Sequence, residues 1–211
     1  MAASYLKIHP QNPQPRLIAQ AVAELHNGAV IAYPTDSCYA LGCRIGDKAA
    51  MDAIRRLRGL EEQHNFTLVC RDLSEIATYA RVSNSAYRLI RLLTPGPYTF
   101  ILPATREVPR RLQHPRRRTI GIRVPDNAIC AALLDALGEP LMSVTLMMPQ
   151  DDLPLADGEE IRERLGNQLD LIIDGGACGF ELTTVIEWLD EHPVLVRRGK
   201  GDIAALNLAE A

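Results

Sequence analysis

The residues of this chain best suited to hold an anion are its arginines, and they cluster. Arg106, Arg110, Arg111, Arg116, Arg117, Arg118 and Arg123 fall within 18 residues, with only Glu107 against them. Arg55, Arg56 and Arg58 lie together upstream, followed by Arg71. A guanidinium presents a planar fork of donors that matches phosphate or carboxylate oxygens two at a time. Some of these have blander explanations. Arg55, Arg56 and Arg58 suit the C-terminal turn of a helix, and 116–118 reads as a solvated loop. Arg123 differs, because it lies within the apolar strand Ile120-Gly121-Ile122-Arg123-Val124. An arginine there is costly unless it is paired or aimed into a cleft.

Hydroxyl groups form the second set. The run Ala29-Val30-Ile31-Ala32 reads as a buried strand that stops at Pro34-Thr35-Asp36-Ser37, which crowds polar groups at its tip. Ser143 and Thr145 leave a second apolar strand that begins at Leu141. Hydroxyls at such a place either line a ligand crevice, where open α/β sheets bind, or are satisfied within the core. Several other chemistries lack their signatures. There is no GxxxxGK(S/T) loop, no GxGxxG after a strand, no HExxH and no GxSxG elbow. His9, His26, His64, His114 and His192 show no metal-ligand spacing.

The elements that must position these groups alternate between helix and strand. Periodicity predicts helices over 15–27, 48–58 (capped by Asp47), 73–80, 84–93 and 127–137, the last ending at Gly138. Strands are predicted over 29–33, 66–70, 119–124, 141–145 and 169–173, in the segment 95–102, and around 185–186 and 194–196. The stretch PQDDLPLADG, 149–158, reads as a surface loop rather than a domain boundary. This mixture predicts an α/β class with a mixed sheet. At 211 residues, the chain is long enough for one sizeable core, or at most two small domains.

Composition sets further bounds. The chain is 47% hydrophobic and 23% charged, an ordinary globular balance. No run approaches the roughly 18 apolar residues of a membrane helix, and the first residues show no apolar signal core. Five cysteines without a CxxC pair speak for a reducing cytoplasm. The net charge of −3 hides an asymmetry: residues 1–123 carry 18 Lys and Arg against 9 Asp and Glu, whereas residues 124–211 carry 5 against 17. This suits either a polyanionic ligand or two portions that attract each other within one fold.

Over nearly its full length the chain resembles the threonylcarbamoyl-AMP synthases, the YrdC-like domain family, and in particular the YciO-type branch. PTDSCYALGC (34–43) resembles that family's Pro-Thr-Glu-Thr-x-Tyr-Gly-Leu-Gly, and Arg56-Leu57-Arg58 falls on its Lys-x-Arg. PGPYTFIL (95–102), GIRVP (121–125) and SVTLM (143–147) fall on its Pro-Gly-Pro-x-Thr, Gly-x-Arg-x-Pro and Ser-x-Ser-Ala-Asn. DGG (174–176), TTVI (183–186) and VLVRRG (194–199) follow in order, so the motif-bearing core runs over about 14–200 of a single domain. Single pieces are weak signals; the ordered set is specific.

The resemblance implies a twisted mixed sheet of the YrdC-like (RibB-like) fold around a large basic concave cavity. It implies a reaction in which L-threonine, bicarbonate and ATP give threonylcarbamoyl-AMP and pyrophosphate, for modification of tRNA adenosine. Arg56, Arg58 and Ser143 would then be catalytic. Thr35, Asp36, Tyr39, Arg123 and Thr184 would hold threonine and bicarbonate. Arg56, Arg58, Thr119, Ser143, Thr145 and Arg197 would hold ATP, with Mg²⁺ arriving on the nucleotide and no metal or tightly bound cofactor of the protein's own. The sequence also departs from the pattern: Arg56 stands for Lys, Thr145 for the second Ser, Met147 for Asn, and Cys70 near a position where many members carry His. An alternative reading is a binder of tRNA, ribosomal RNA or double-stranded RNA that uses the basic cavity and the 106–118 arginines, with weak or redirected synthase activity. Neither reading involves a membrane.

Overall fold

A computed structural model describes residues 2–61, 66–189, 192–204 and 209–210. His64, whose spacing excluded a ligand role in the sequence, lies outside them. In chain order the elements are β1 (Ser4–Lys7), α1 (Pro15–His26), β2 (Ile31–Tyr33), β3 (Ala40–Arg44), α2 (Lys48–Arg58), β4 (Thr67–Val69), α3 (Leu73–Tyr79), α4 (Asn84–Leu93) and β5 (Tyr98–Pro103). They continue with β6 (Thr119–Arg123), α5 (Ala128–Leu137), β7 (Leu141–Thr145), α6 (Gly158–Leu165), β8 (Leu171–Asp174), β9 (Thr184–Leu189), β10 (His192–Arg197) and β11 (Ala209–Glu210).

One mixed sheet runs in the order β1-β8-β2-β3-β7-β4-β6-β5-β9-β10-β11. The predicted class and most of the elements are present, and their ends have local causes. Asp47 accepts from the Ala50 amide at the start of α2, and Asn127 from Cys130 at the start of α5. Gly138 closes α5 in the left-handed region, φ 72°.

Four elements went unread in the sequence, one of them the two-residue strand β11. β1 is a short edge strand, and β3 is buried on both faces, so neither shows the alternation that betrays a half-covered strand. α6 starts at Gly158, where the loop over 149–158 ends, capped by Asp157. Its apolar stripe is only Ile161 and Leu165.

The two sheet faces are covered unequally. On one face α2, α3, α4 and α6 pack over Leu41, Leu68, Phe100, Ile122, Met142 and Ile172. On the other, α1 and α5 lie over Ile31, Tyr33, Val69, Leu141, Leu171 and Ile173. Those two helices cover only the end of the sheet formed by β8, β2 and the adjoining ends of β7 and β4. Across the rest of β4 and across β6, β5 and β9, no helix among the described residues lies over the same face. No helix among the described residues is long and apolar enough to cross a membrane.

Candidate functional site

The bare part of that face is the floor of a cavity of about 340 Å³, a size typical of small-molecule sites. Strand alternation decides which side chains reach it. Thr99 on β5, Thr119 and Arg123 on β6, and Ser143 and Thr145 on β7 line the cavity, while Phe100, Ile120, Ile122 and Met142 point to the core. Gly121 keeps the floor flat, since a Cβ there would stand 3.2 Å from Thr67 Oγ1. Gly42 serves the boundary with the helix-covered end. Its missing side chain lets the Tyr33 ring lie against the strand, where a Cβ would come within 2.8 Å of the ring. The Tyr33 hydroxyl then shares a hydrogen bond of 2.7 Å with Ser143 Oγ, opposite Gly42 in the ladder. Burial raises the Tyr33 phenol, so it stays neutral.

Four arginines line the cavity: Arg58 from the end of α2, Arg117 from the connection before β6, Arg123, and Arg197 from β10. Among the described residues no carboxylate lines it. Arg123 is buried, with its guanidinium ion-paired to Asp36 and 3.3 Å from Ser37 Oγ. This is the pairing that its place in an apolar strand demanded. Arg117 donates to Glu187 Oε1 at 2.6 Å. Arg58 and Arg197 have no ion pair among the described residues. Burial lowers the pKa of both, because the charged form is taken from water; for Arg197, Cys38 opposes this in part. Arg58 Nε has no hydrogen-bond partner among the described residues, and Arg197 meets only the carbonyl and hydroxyl of Thr183.

Arg197 reaches the cavity through an irregularity. The β9–β10 ladder shifts between Leu195 and Arg197, so that Leu195 pairs with core-facing Ile186 and Arg197 with cavity-lining Val185. Without that shift the arginine would share the face of Leu195. Cys38 also lines the cavity, but burial raises its thiol, partly offset by Ser37 and Arg123. The cavity therefore offers positive charge and hydroxyl donors, and no thiolate nucleophile. Such a site screens and orients anions.

Residues 23–199 match the family model Sua5/YciO/YrdC, described as telomere recombination. The chain belongs to this family. YciO of Escherichia coli is 57% identical over 201 residues, which span 95% of this chain and 98% of that protein. Its crystal structure superposes with a TM-score of 0.92 at 56% identity, covering 96% of this chain and 98% of that one. A protein of Halorhodospira halophila named threonylcarbamoyl-AMP synthase is 32% identical over 178 residues, 84% of this chain and 92% of its own length. Sua5 of P. abyssi in complex with L-threonine shares the fold, with a TM-score of 0.84 at 23% identity over 92% of this chain and 57% of that chain.

Within this Sua5/YciO/YrdC frame, the residues singled out in the sequence divide into two groups. Arg58, Thr119, Arg123, Ser143, Thr145 and Arg197 come together on the cavity wall. Thr35, Asp36, Tyr39, Arg56 and Thr184 are not among its lining residues. Thr35 spends its hydroxyl on a local turn, donating to the Cys38 carbonyl at 2.6 Å and accepting from the Ser37 amide at 3.1 Å. Asp36 acts through Arg123, with its second oxygen taking the Asp126 amide at 3.0 Å. Tyr39 donates to the Gly176 carbonyl at 2.9 Å. Arg56 is exposed on α2. Thr184 faces away and donates to the Gly201 carbonyl at 2.7 Å, leaving Thr183 as the cavity residue.

Arg117 corrects the solvated-loop reading of 116–118, because it lines the cavity. Thr67, Thr99 and His114 line it too, and none was singled out from the sequence. Thr67 and Thr99 were legible in principle, as hydroxyls alternating with apolar residues on β4 and β5, the two strands that flank β6. The charge asymmetry is in part internal: Arg44 pairs with Glu139, Arg71 with Asp135 and Arg117 with Glu187 across the two portions.

Proposed function

We propose that this protein is a nucleotidyltransferase of the threonylcarbamoyl-AMP synthase type, acting on L-threonine, bicarbonate and Mg–ATP. The observation that carries this is the cavity in which Arg58 and Arg197, without an ion pair among the described residues, face the hydroxyls of Thr119, Ser143 and Thr145, with no carboxylate among the described lining residues. The sequence likeness to a protein named as such a synthase supports the choice of reaction.

Bicarbonate takes up a proton and loses water to give carbon dioxide, and threonine's amine adds to it, returning the proton and leaving a carbamate. A carbamate oxygen attacks the α-phosphorus of ATP, the new P–O bond forms, and the bond to the β-phosphate bridge breaks to release pyrophosphate. Both reactants are anions, so the barrier lies largely in bringing them together and in holding the charge that builds on the phosphoryl oxygens. Arg58 and Arg197 screen that charge, and Ser143 and Thr145 donate to phosphate oxygens. Arg123, held rigid by Asp36, serves the carboxylate of the amino acid. The product is of the kind consumed in N6-threonylcarbamoyl modification of tRNA adenosine.

The test is pyrophosphate release from Mg–ATP and bicarbonate, with threonine present or omitted. Release should depend on threonine; identical rates in the two arms would sink this reading. A second reading, contact with tRNA or double-stranded RNA, is favoured by exposed Arg106, Arg110, Arg116 and Arg118, which have no ion pair among the described residues. It is the reading that gains if threonine has no effect.

A further inference from the structure

The Arg117–Glu187 pair is asymmetric. The glutamate side chain is 7% exposed and the arginine 50% exposed. The acid is thus fixed within β9, while the base reaches it from the connection between β5 and β6. That connection is closed upon itself before β6. The His114 amide donates to the Thr119 carbonyl at 2.8 Å and the Arg118 amide to the His114 carbonyl at 2.9 Å. His114 Nδ1 accepts from the amides of Arg116 and Arg117 at 3.3 and 3.1 Å. A ring nitrogen used as acceptor leaves the proton of the neutral imidazole on Nε2. Arg117, His114 and Thr119 all line the same cavity.

A buried carboxylate behind an anion site repels the ligand unless it serves another end. Here it engages one Nη of a guanidinium that carries five N–H donors. Drawing Arg117 away would strand Glu187 as a buried unpaired charge, which is strongly unfavourable. The pair therefore stays together when an anion enters, with the rest of the fork free to donate.

We infer that Arg117, held by Glu187 and flanked by His114, is a phosphate-binding arm of the cavity for a polyphosphate chain, with Glu187 its positioning residue. The inference rests on the nucleotide reading above and adds residues that reading does not use. The polyphosphate of a nucleotide and free pyrophosphate share this chemistry.

Calorimetric titration of the full chain with Mg–ATP, AMP and magnesium pyrophosphate separates these sources. Arg117→Ala should weaken Mg–ATP and pyrophosphate by about tenfold, as expected for loss of a charge-assisted contact, and leave AMP within about twofold. Arg117→Lys should recover little, because an ammonium cannot serve Glu187 and a phosphate with one planar fork. Glu187→Gln should weaken pyrophosphate by about threefold with AMP unchanged, a discrimination that a purely structural role would not produce. If Arg117→Ala binds pyrophosphate normally while Arg58→Ala loses it, the arm is wrong and the nucleotide reading stands. Equal losses for AMP and Mg–ATP would likewise overturn the arm. No affinity of the unsubstituted chain for any of the three ligands would overturn both.

Discussion

One face of the sheet has two ends, and the same strands build both. On β7, Leu141 lies under α5 and Ser143, two residues on, opens into the cavity. On β4, Val69 lies under the helices and Thr67 lines the cavity. Alternation fixes the face to which these side chains point, and it is identical at the two ends. What differs is residue type. Where α1 and α5 cover the face the residues are Ile, Val, Leu, Ala40 and Tyr33; where they do not, Thr, Ser, Gly and Arg stand beside Ile101 and Val185. A hydroxyl beneath a helix would need a partner to offset its desolvation, and an arginine would need more. The boundary therefore has to be wired, and it is, by Tyr33 on Ser143 and by Asp36 on Arg123. A change from apolar to hydroxyl residues along one face marks where a sheet stops being core and becomes a site.

The sharpest contrast should come from the covered end. Ile173 is fully buried on β8 between α1 and the sheet. Ile173→Ala should cost about 2–5 kcal/mol, through lost transfer energy and the cavity left behind. Urea unfolding measures this directly. Ligand affinity of the folded fraction should be unchanged. A variant that kept its stability but bound ligand poorly would mean that the two ends are not separable.

Arg58→Ala is the converse at the bare end. Its guanidinium is half-buried and unpaired among the described residues, so it contributes to binding at some expense of stability. The variant should lose about tenfold or more in kcat/KM, since a contact to a charged group is worth about 1.5–3 kcal/mol. Stability should move by no more than about 1 kcal/mol, the scale of a favourable charge at a helix C-terminus. A normal rate would reduce Arg58 to a helix-end charge.

Much of this division was legible in the sequence, and the rest was hidden for physical reasons. Arg123 showed itself because no apolar strand carries an arginine without a partner. Ser143 and Thr145 showed themselves as hydroxyls leaving the end of an apolar strand. The sequence does not reveal where the hydroxyls of Thr35 and Tyr39 are engaged: one closes a turn and the other caps the Gly176 carbonyl. Thr183 and Thr184 are adjacent and chemically equal, and only the pairing of Val185 with Thr99 decides which of them faces in. Arg197 owes its direction to a bulge, a feature of pairing that no alternation within one strand records. Arg117 was hidden because a charge run gives no sign of its partner, and Glu187 lies 70 residues away.

The smallest effect tests the wall nearest that boundary. Met147 lies two residues past the end of β7 and lines the cavity, whereas Leu146 before it is buried and Met148 after it packs on the core. A thioether accepts weakly and cannot donate to a phosphate oxygen, so this stretch of wall is apolar where Thr145 beside it is not. Met147→Asn places an amide in a half-buried position open to the cavity, where water or ligand can satisfy it. Its backbone link, the Met147 amide on the Thr145 carbonyl at 3.0 Å, does not depend on the side chain. The expected result is tighter Mg–ATP by about 0.5–1.5 kcal/mol, the worth of an ordinary hydrogen bond, at the upper end if phosphate charge assists it. Melting temperature should hold, because no core contact of Leu146 or Met148 is removed. Affinity and melting must be measured on the same preparation. A lower melting temperature without tighter ATP would show that methionine is filling an irregular gap there. The cavity wall would then continue the core at this point, and the boundary between the two ends of the sheet would lie at Thr145.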